Sequence, residues 1–168
     1  LGDVYKRQDK YCSRLSPHLT YGTLSVKEIY KKLKDFKYKC EKQGLKYNKR
    51  GLSAFSSRLS WRCHFIQKLE DQPSIENKCM HSSYEGMREK KSNIDKLKAW
   101  ETGFTGFPFV DACMRSLTYN GWITFRMRAM LTSFASHDLW IDWRDSGYVL
   151  ARLFTDYEPG IHLSLIHI

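Results

Sequence analysis

The chain has 168 residues, 42% of them hydrophobic and 14% aromatic, which is enough apolar surface for one packed domain and too much for a wholly disordered chain. Its 28 Lys and Arg against 18 Asp and Glu leave a net charge of +10, which favours a polyanionic partner over an acidic or neutral small-molecule niche. No apolar run approaches the ~20 residues of a membrane span, and five cysteines without a CxxC pair fit free buried thiols in a reducing compartment rather than disulfides or zinc; the composition predicts a cytoplasmic protein with no membrane segment.

At the two ends the sequence reads differently from the rest. Asp3 to Gln8 (DVYKRQ) are encodable by a DNA string whose reverse complement translates as LSLIHI, the residues Leu163 to Ile168. Unrelated protein ends have no reason to be reverse complements. The string resembles a transposase adapter of sequencing libraries, and Leu1-Gly2 fits its continuation. Residues 1–8 and 163–168 are therefore expected to be translated library sequence, and residues 9–162 an internal piece of a longer domain.

Helical spacing dominates this piece, and the whole chain has only four Pro and ten Gly. Pro17 opens a turn-rich segment. Ser25 with Glu28 three residues on is a capping box for a helix through Ile29, Leu33 and Phe36. From Lys27 to Arg50 there are ten basic residues against Glu28, Asp35 and Glu41. Such runs are first read as a solvated helix face with a basic loop and second as a phosphate-binding patch. Leu52, Phe55, Leu59, Phe65, Ile66 and Leu69 repeat near the helical period. Glu70 to Lys98 turns polar and predicts a long surface excursion with little regular structure. Gly103 and Gly106 mark a turn, Pro108 a helix start, and Asn120-Gly121 a second turn. A helix is then expected over Ile123–His137 and a last one over Leu139–Phe154. Strand-like alternation is absent, so the fold class is all-α and bundle-like.

GxGxxG, P-loop, HExxH and GxSxG patterns are missing, which removes the common nucleotide, zinc-protease and serine-hydrolase readings. His18, His64, His81 and His137 are too scattered for a metal cluster. The distinctive segments are SRLSPHLTYGTLS (13–25), LSWRCHF (59–65), WETGFTGFPFVDACMRSLTYNGWITFRMRAMLTSF (100–134) and DLWIDWRDSGYVLARLFTDYEPGIH (138–162). In order and spacing they resemble the helical FAD-binding domain of the cryptochrome and DNA photolyase family, across nearly all of residues 9–162.

That resemblance implies site residues. Ser13, Arg14, Leu15 and Ser16 match the segment the family uses on the FAD pyrophosphate, and hydroxyls and amides at a helix-opening turn suit an anion. Arg128 and Asp156 match a pair beside the flavin ring, where a fixed cation favours the anionic reduced flavin. Glu158 matches a second acid of the same turn, and His162 falls where many members place an Asn facing flavin N5. Trp61 and Arg62 match the DNA-facing mouth, where an indole stacks on an extruded pyrimidine pair; Arg126 matches a phosphate contact. Trp143 matches the middle member of the family's tryptophan relay. The outer member's position holds Lys90, with Trp140 near in sequence. Taken singly, each feature also reads as an ordinary helix cap, a structural salt bridge or a packed tryptophan.

Two positions depart from dimer-repairing members. Arg58 stands for a Glu three residues before the stacking Trp, and Phe125 for an Asn in the segment after Trp122. A cation at position 58 offers electrostatic stabilisation of a dimer radical anion in place of a hydrogen bond. The expectation is a photolyase-like lyase of which this chain is a part, a monomer using FAD to transfer a light-excited electron to pyrimidine dimers in DNA, with Trp61, Arg58 and the relay residue Trp143 as its catalytic set. A cryptochrome-type photoreceptor without repair activity is the alternative, which Arg58 and Phe125 favour. A cofactor-free basic nucleic-acid-binding module would explain the charge but not the motif order.

Overall fold

The computed structural model describes residues 12–89 and 93–166, and among them there is no strand. Eight helices follow in order: α1 (Ser16–Thr20), α2 (Val26–Lys42), α3 (Lys49–Asp71), α4 (Ile94–Thr102), α5 (Pro108–Asn120), α6 (Phe125–Ser133), α7 (Trp143–Leu153) and α8 (Pro159–Ile166). The all-α expectation holds. Residues 1–8 and Lys90 lie outside the described residues.

Local chemistry sets the boundaries. Ser25 caps α2: its side chain accepts from Glu28 N while the Glu28 carboxylate accepts from Ser25 N at 2.8 Å, closing the predicted box. Asn48 caps α3 through Gly51 N. Pro108 starts α5, and Gly121 ends it at φ +65°. A Cβ on Gly121 would stand 2.5 Å from Thr155 Cγ2, so both the left-handed turn and the close approach exclude other residues. Asp111, buried in the first turn of α5, accepts from the backbone N–H of Thr105 and Gly106 and from the Thr105 hydroxyl, which fixes the TGF turn before it.

α4–α7 build the core. Trp100, Met114, Leu117 and Leu131 are fully buried in one cluster with Val110, Cys113, Ile123, Phe134, Val149, Leu150 and Phe154. α8 closes this core against α3, and Gly160 is the contact: a Cβ there would lie 2.8 Å from Phe65 O and 2.9 Å from Ile66 Cα. α2 stands apart, with Ile29 and Cys40 as its buried residues.

The structure corrects several expectations. Ile123–His137 is not one α-helix: α6 ends at Ser133 and Phe134–Asp138 widens into a π turn. The last predicted helix starts at Trp143, because Trp140 adopts φ +59° and Asp142 caps the helix through Arg144 N. A further helix, α8, follows it, running into residues 163–166 with Leu163 buried. Among the described residues the 70–98 excursion contains two short 3-10 turns, Pro73–Glu76 and Ser82–Tyr84, before α4 begins at Ile94. It is nonetheless pinned: Ile75 is buried, and Arg144 donates to Asn77 O at 2.9 Å and pairs with Glu85 and Asp142. The thiols are free but not uniformly buried; Cys40 and Cys113 are, Cys12 is exposed, and Cys63 and Cys79 lie between.

Candidate functional site

The chain's most concentrated buried polar chemistry forms where α6, α8 and the turn before α8 meet. Arg128, one turn into α6, donates through Nη1 and Nη2 to the two carboxylate oxygens of Asp156, each at 2.9 Å, and through Nε to Ile123 O at 2.9 Å. Both partners are buried. A two-point pair of this kind is the geometry in which a buried carboxylate and guanidinium satisfy one another.

His162, one turn into α8, lies 3.1 Å from Arg128 Nη1 through Nε2. A guanidinium has only donors, so Nε2 accepts and the ring proton sits on Nδ1, 3.1 Å from Glu158 O. Burial, then the Arg128 charge, pushes the imidazole down from 6.5 to about 4, so it is neutral at physiological pH. Phe154 and Tyr157 clamp the ring at centroid distances of 4.9 and 5.0 Å. The Arg128 guanidinium also lies over Phe154 at 4.2 Å.

Trp122 joins this cluster to the amino-terminal segment. Its Nε1 donates to Ser16 Oγ at 3.2 Å, and its ring lies 5.1 Å from the guanidinium carbon of Arg14 and 5.8 Å from that of Arg128. Arg14 holds a left-handed backbone, φ +51°, uncommon for a residue with a Cβ. Thr20 adds a second tie, donating to Asp156 O at 3.4 Å. Ser13 and Arg14 are exposed, and Leu15 and Ser16 half-buried.

α3 contributes two faces. Arg62 turns inward and pairs with Glu158 at 3.6 Å. Trp61 turns outward, 49% exposed, beside Phe65 and His64 at 5.5 and 5.9 Å. Adjacent helical residues point ~100° apart, so the grouping of Trp61 with Arg62 at one mouth is divided between surface and interior. Arg58, Phe125 and Arg126 are exposed. Trp143 is buried beneath the Arg144 guanidinium, 4.7 Å from its ring, and shares with His162, Thr132 and Tyr157 the wall of a cavity of about 80 Å³. Trp140 is exposed, with Arg88 over its ring at 4.3 Å.

The structure therefore brings together Ser16, Arg14, Arg128, Asp156, His162, Glu158 and Arg62, and sets Trp61, Arg58 and Arg126 on the surface. Sequence reasoning used Trp122 only to fix the register and missed its bridging role; Ser16 and Trp122 are 106 positions apart, and no local pattern encodes that contact. The donor set fits a dinucleotide bearing two phosphates and a ring: Ser13 and Ser16 hydroxyls with the Arg14 cation suit a pyrophosphate, and the fixed Arg128 cation beside a neutral imidazole suits an electron-accepting ring.

Comparison with known proteins places the chain in a family. The family profile described as FAD binding domain of DNA photolyase matches residues 55–167. The chain is 38% identical over 145 residues to a deoxyribodipyrimidine photo-lyase of Streptomyces griseus, covering 86% of this chain and 28% of that protein. It is 30% identical over 154 residues to Cryptochrome-1 of Rattus norvegicus, covering 88% of this chain and 24% of the other. Among solved structures, a bacterial class III photolyase from Agrobacterium tumefaciens superposes with a TM-score of 0.83 at 27% identity, covering 93% of this chain and 31% of that one. The chain thus spans less than a third of the length of these relatives. With more than half of its length matched, it belongs to the cryptochrome and DNA photolyase family, of whose helical FAD-binding domain it forms a part.

Proposed function

We propose that this chain is an internal part, residues 9–162, of a cytoplasmic photolyase that repairs pyrimidine dimers in DNA. The observation that carries the reading is the two-faced placement of α3: the Trp61 indole stands at the surface, and the next residue, Arg62, turns inward to pair with Glu158, whose carbonyl meets His162. One rigid helix thereby couples a DNA-facing platform to the cofactor side.

Reduced FAD, when bound, supplies the light-excited electron. Ser13, Arg14, Leu15 and Ser16 hold its pyrophosphate. Arg128, oriented by Asp156, places a fixed positive charge beside the ring. His162 stays neutral and keeps its proton on Nδ1, away from that side, while Phe154 and Tyr157 exclude water from the imidazole. Trp61 stacks on the extruded dimer, Arg126 contacts phosphate, and Arg58 stabilises negative charge arriving on the dimer. Trp143, which lines the small cavity together with His162, is the relay residue.

The second reading, a photoreceptor without turnover of lesions, has a specific basis: Arg58 and Phe125 stand where repair enzymes carry Glu and Asn, and Phe125 is 57% exposed. The discriminating experiment illuminates the purified, reduced parent protein with an oligonucleotide containing a thymine dimer. Loss of the dimer is expected under light and not in darkness; a flavin-loaded protein that leaves every dimer intact defeats the repair reading in favour of the photoreceptor.

A further inference from the structure

α2 and α3 diverge around an open cleft of about 650 Å³, most of it built from residues preceding the 55–167 stretch that matches the family. Ser53, Ser56, Ser57 and Ser60, three or four apart, line it along one face of α3. Arg62 lies nine residues past Ser53, about two and a half turns, and so leaves the opposite side of the helix. The cleft and the Arg62–Glu158 contact are separate features of α3.

Across from the serines stand Lys34 and Lys37 of α2, with Lys49 at the start of α3. Among the described residues none of the three is ion-paired. Glu41, the acid among the lining residues, is engaged by the Tyr47 hydroxyl at 3.4 Å. Two held aromatic rings line the cleft. Tyr30 is fixed through its hydroxyl, 2.8 Å from Ser60 Oγ and 3.2 Å from Ser56 O. Tyr47 sits between Phe36 at 5.9 Å and Lys49 Nζ at 6.0 Å. A cleft lined by unpaired ammonium groups, serine hydroxyls and two held rings matches a repeating anion with flat groups attached, which is the chemistry of a nucleic-acid strand.

We propose that this cleft binds a DNA strand through its phosphodiester backbone, without regard to lesion, and delivers it to the Trp61 face. Trp61 is four residues from Ser57 on the same helix, so the cleft rim adjoins the indole. This rests on the reading that the protein acts on DNA, but its test is separate from repair.

The test is fluorescence anisotropy in darkness, with the parent protein and a labelled, lesion-free single-stranded oligothymidine, across a salt series. The variant is Lys34→Gln/Lys37→Gln/Lys49→Gln; all three side chains are exposed, and an unchanged melting temperature confirms its fold. The expected result is roughly tenfold weaker binding, with the slope of log affinity against log salt smaller by about 2, as the loss of three phosphate contacts dictates. Competition by inorganic pyrophosphate separates a strand from a small polyphosphate: weak displacement supports the strand, and full displacement at matched phosphate concentration overturns it. Unchanged affinity and slope overturn it as well, including the case in which another segment of the parent protein covers the cleft. Repair needs a dimer and light and this measurement uses neither, so failure of one leaves the other standing.

Discussion

The carboxy-terminal α4–α8 and the amino-terminal α2–α3 pair solve different problems with the same helical material. In α4–α8 the apolar stripes face one another, Leu117 and Leu131 lose all contact with water, and a charged pair is buried under that cover. In α2 the stripe is interrupted by lysines every few residues; Phe36 and Tyr38 stay exposed, and an open cleft separates the helix from α3. Burying the Arg128 guanidinium demands rigidity, because a buried cation survives only with its partner fixed. The strand binding proposed for the α2–α3 cleft demands charge and access instead. α3 belongs to both regions, anchored by Gly160 on one side and lined with serines on the other.

Substitutions sharpen that contrast, beginning with the largest. Arg128→Ala strands Asp156 without its cation and is expected to destabilise the fold by about 3–5 kcal/mol, read by denaturant unfolding; a loss below about 1 kcal/mol would remove the pair from its structural role. His162 comes next. The unfolded chain takes up its proton near pH 6.5, the folded one only near 4. The unfolded state therefore binds more protons between those values. Stability is full above about pH 6.5 and falls as pH drops through the window, by up to about 3 kcal/mol. His162→Gln should flatten that slope in an unfolding series, and a slope that persists in the variant would assign it to other groups. Gly160→Ala drives a methyl into the α3 backbone and should cost roughly 1–3 kcal/mol, with a matching loss of FAD affinity. Ser25→Ala removes the α2 cap for about 1 kcal/mol. Lys37→Ala should change stability by less than about 0.5 kcal/mol; a larger loss would mean that α2 is packed more like the carboxy-terminal region than its exposure shows.

Where the sequence was readable, the signal was local. Ser25 with Glu28, Pro108, and the glycines at 103 and 121 each specify a boundary through backbone chemistry that needs no distant partner, and the structure places boundaries there. Composition misled where tertiary contact decides. The polar 70–98 stretch conceals Ile75, buried among its neighbours, and the acceptors for Arg144. α8 has no amphipathic period to announce it, since its start at Pro159 is packed through glycine against the α3 backbone. The break at Trp140 lies in a positive φ that an apolar run does not signal. At the site, motif order identified Arg128, Asp156 and His162 one by one. Their joining, and the Trp122 bridge to Ser16, are contacts between segments remote in the chain. The inward turn of Arg62 against the outward turn of Trp61 follows from helix geometry once α3 is known to pack on α8.

The proposal turns on Arg14, Ser16 and Arg128, joined through Trp122, converging on one flavin dinucleotide. Its most direct test is FAD titration of the purified parent protein, followed by visible absorbance after removal of free flavin, with Arg14→Ala beside the wild type because Arg14 is exposed and its loss leaves the core intact. One FAD per chain is expected for the wild type, and binding weakened roughly tenfold for the variant by loss of a charge-assisted contact. A wild-type protein that stays colourless after reconstitution, or a variant that binds FAD as tightly as the wild type, would contradict it.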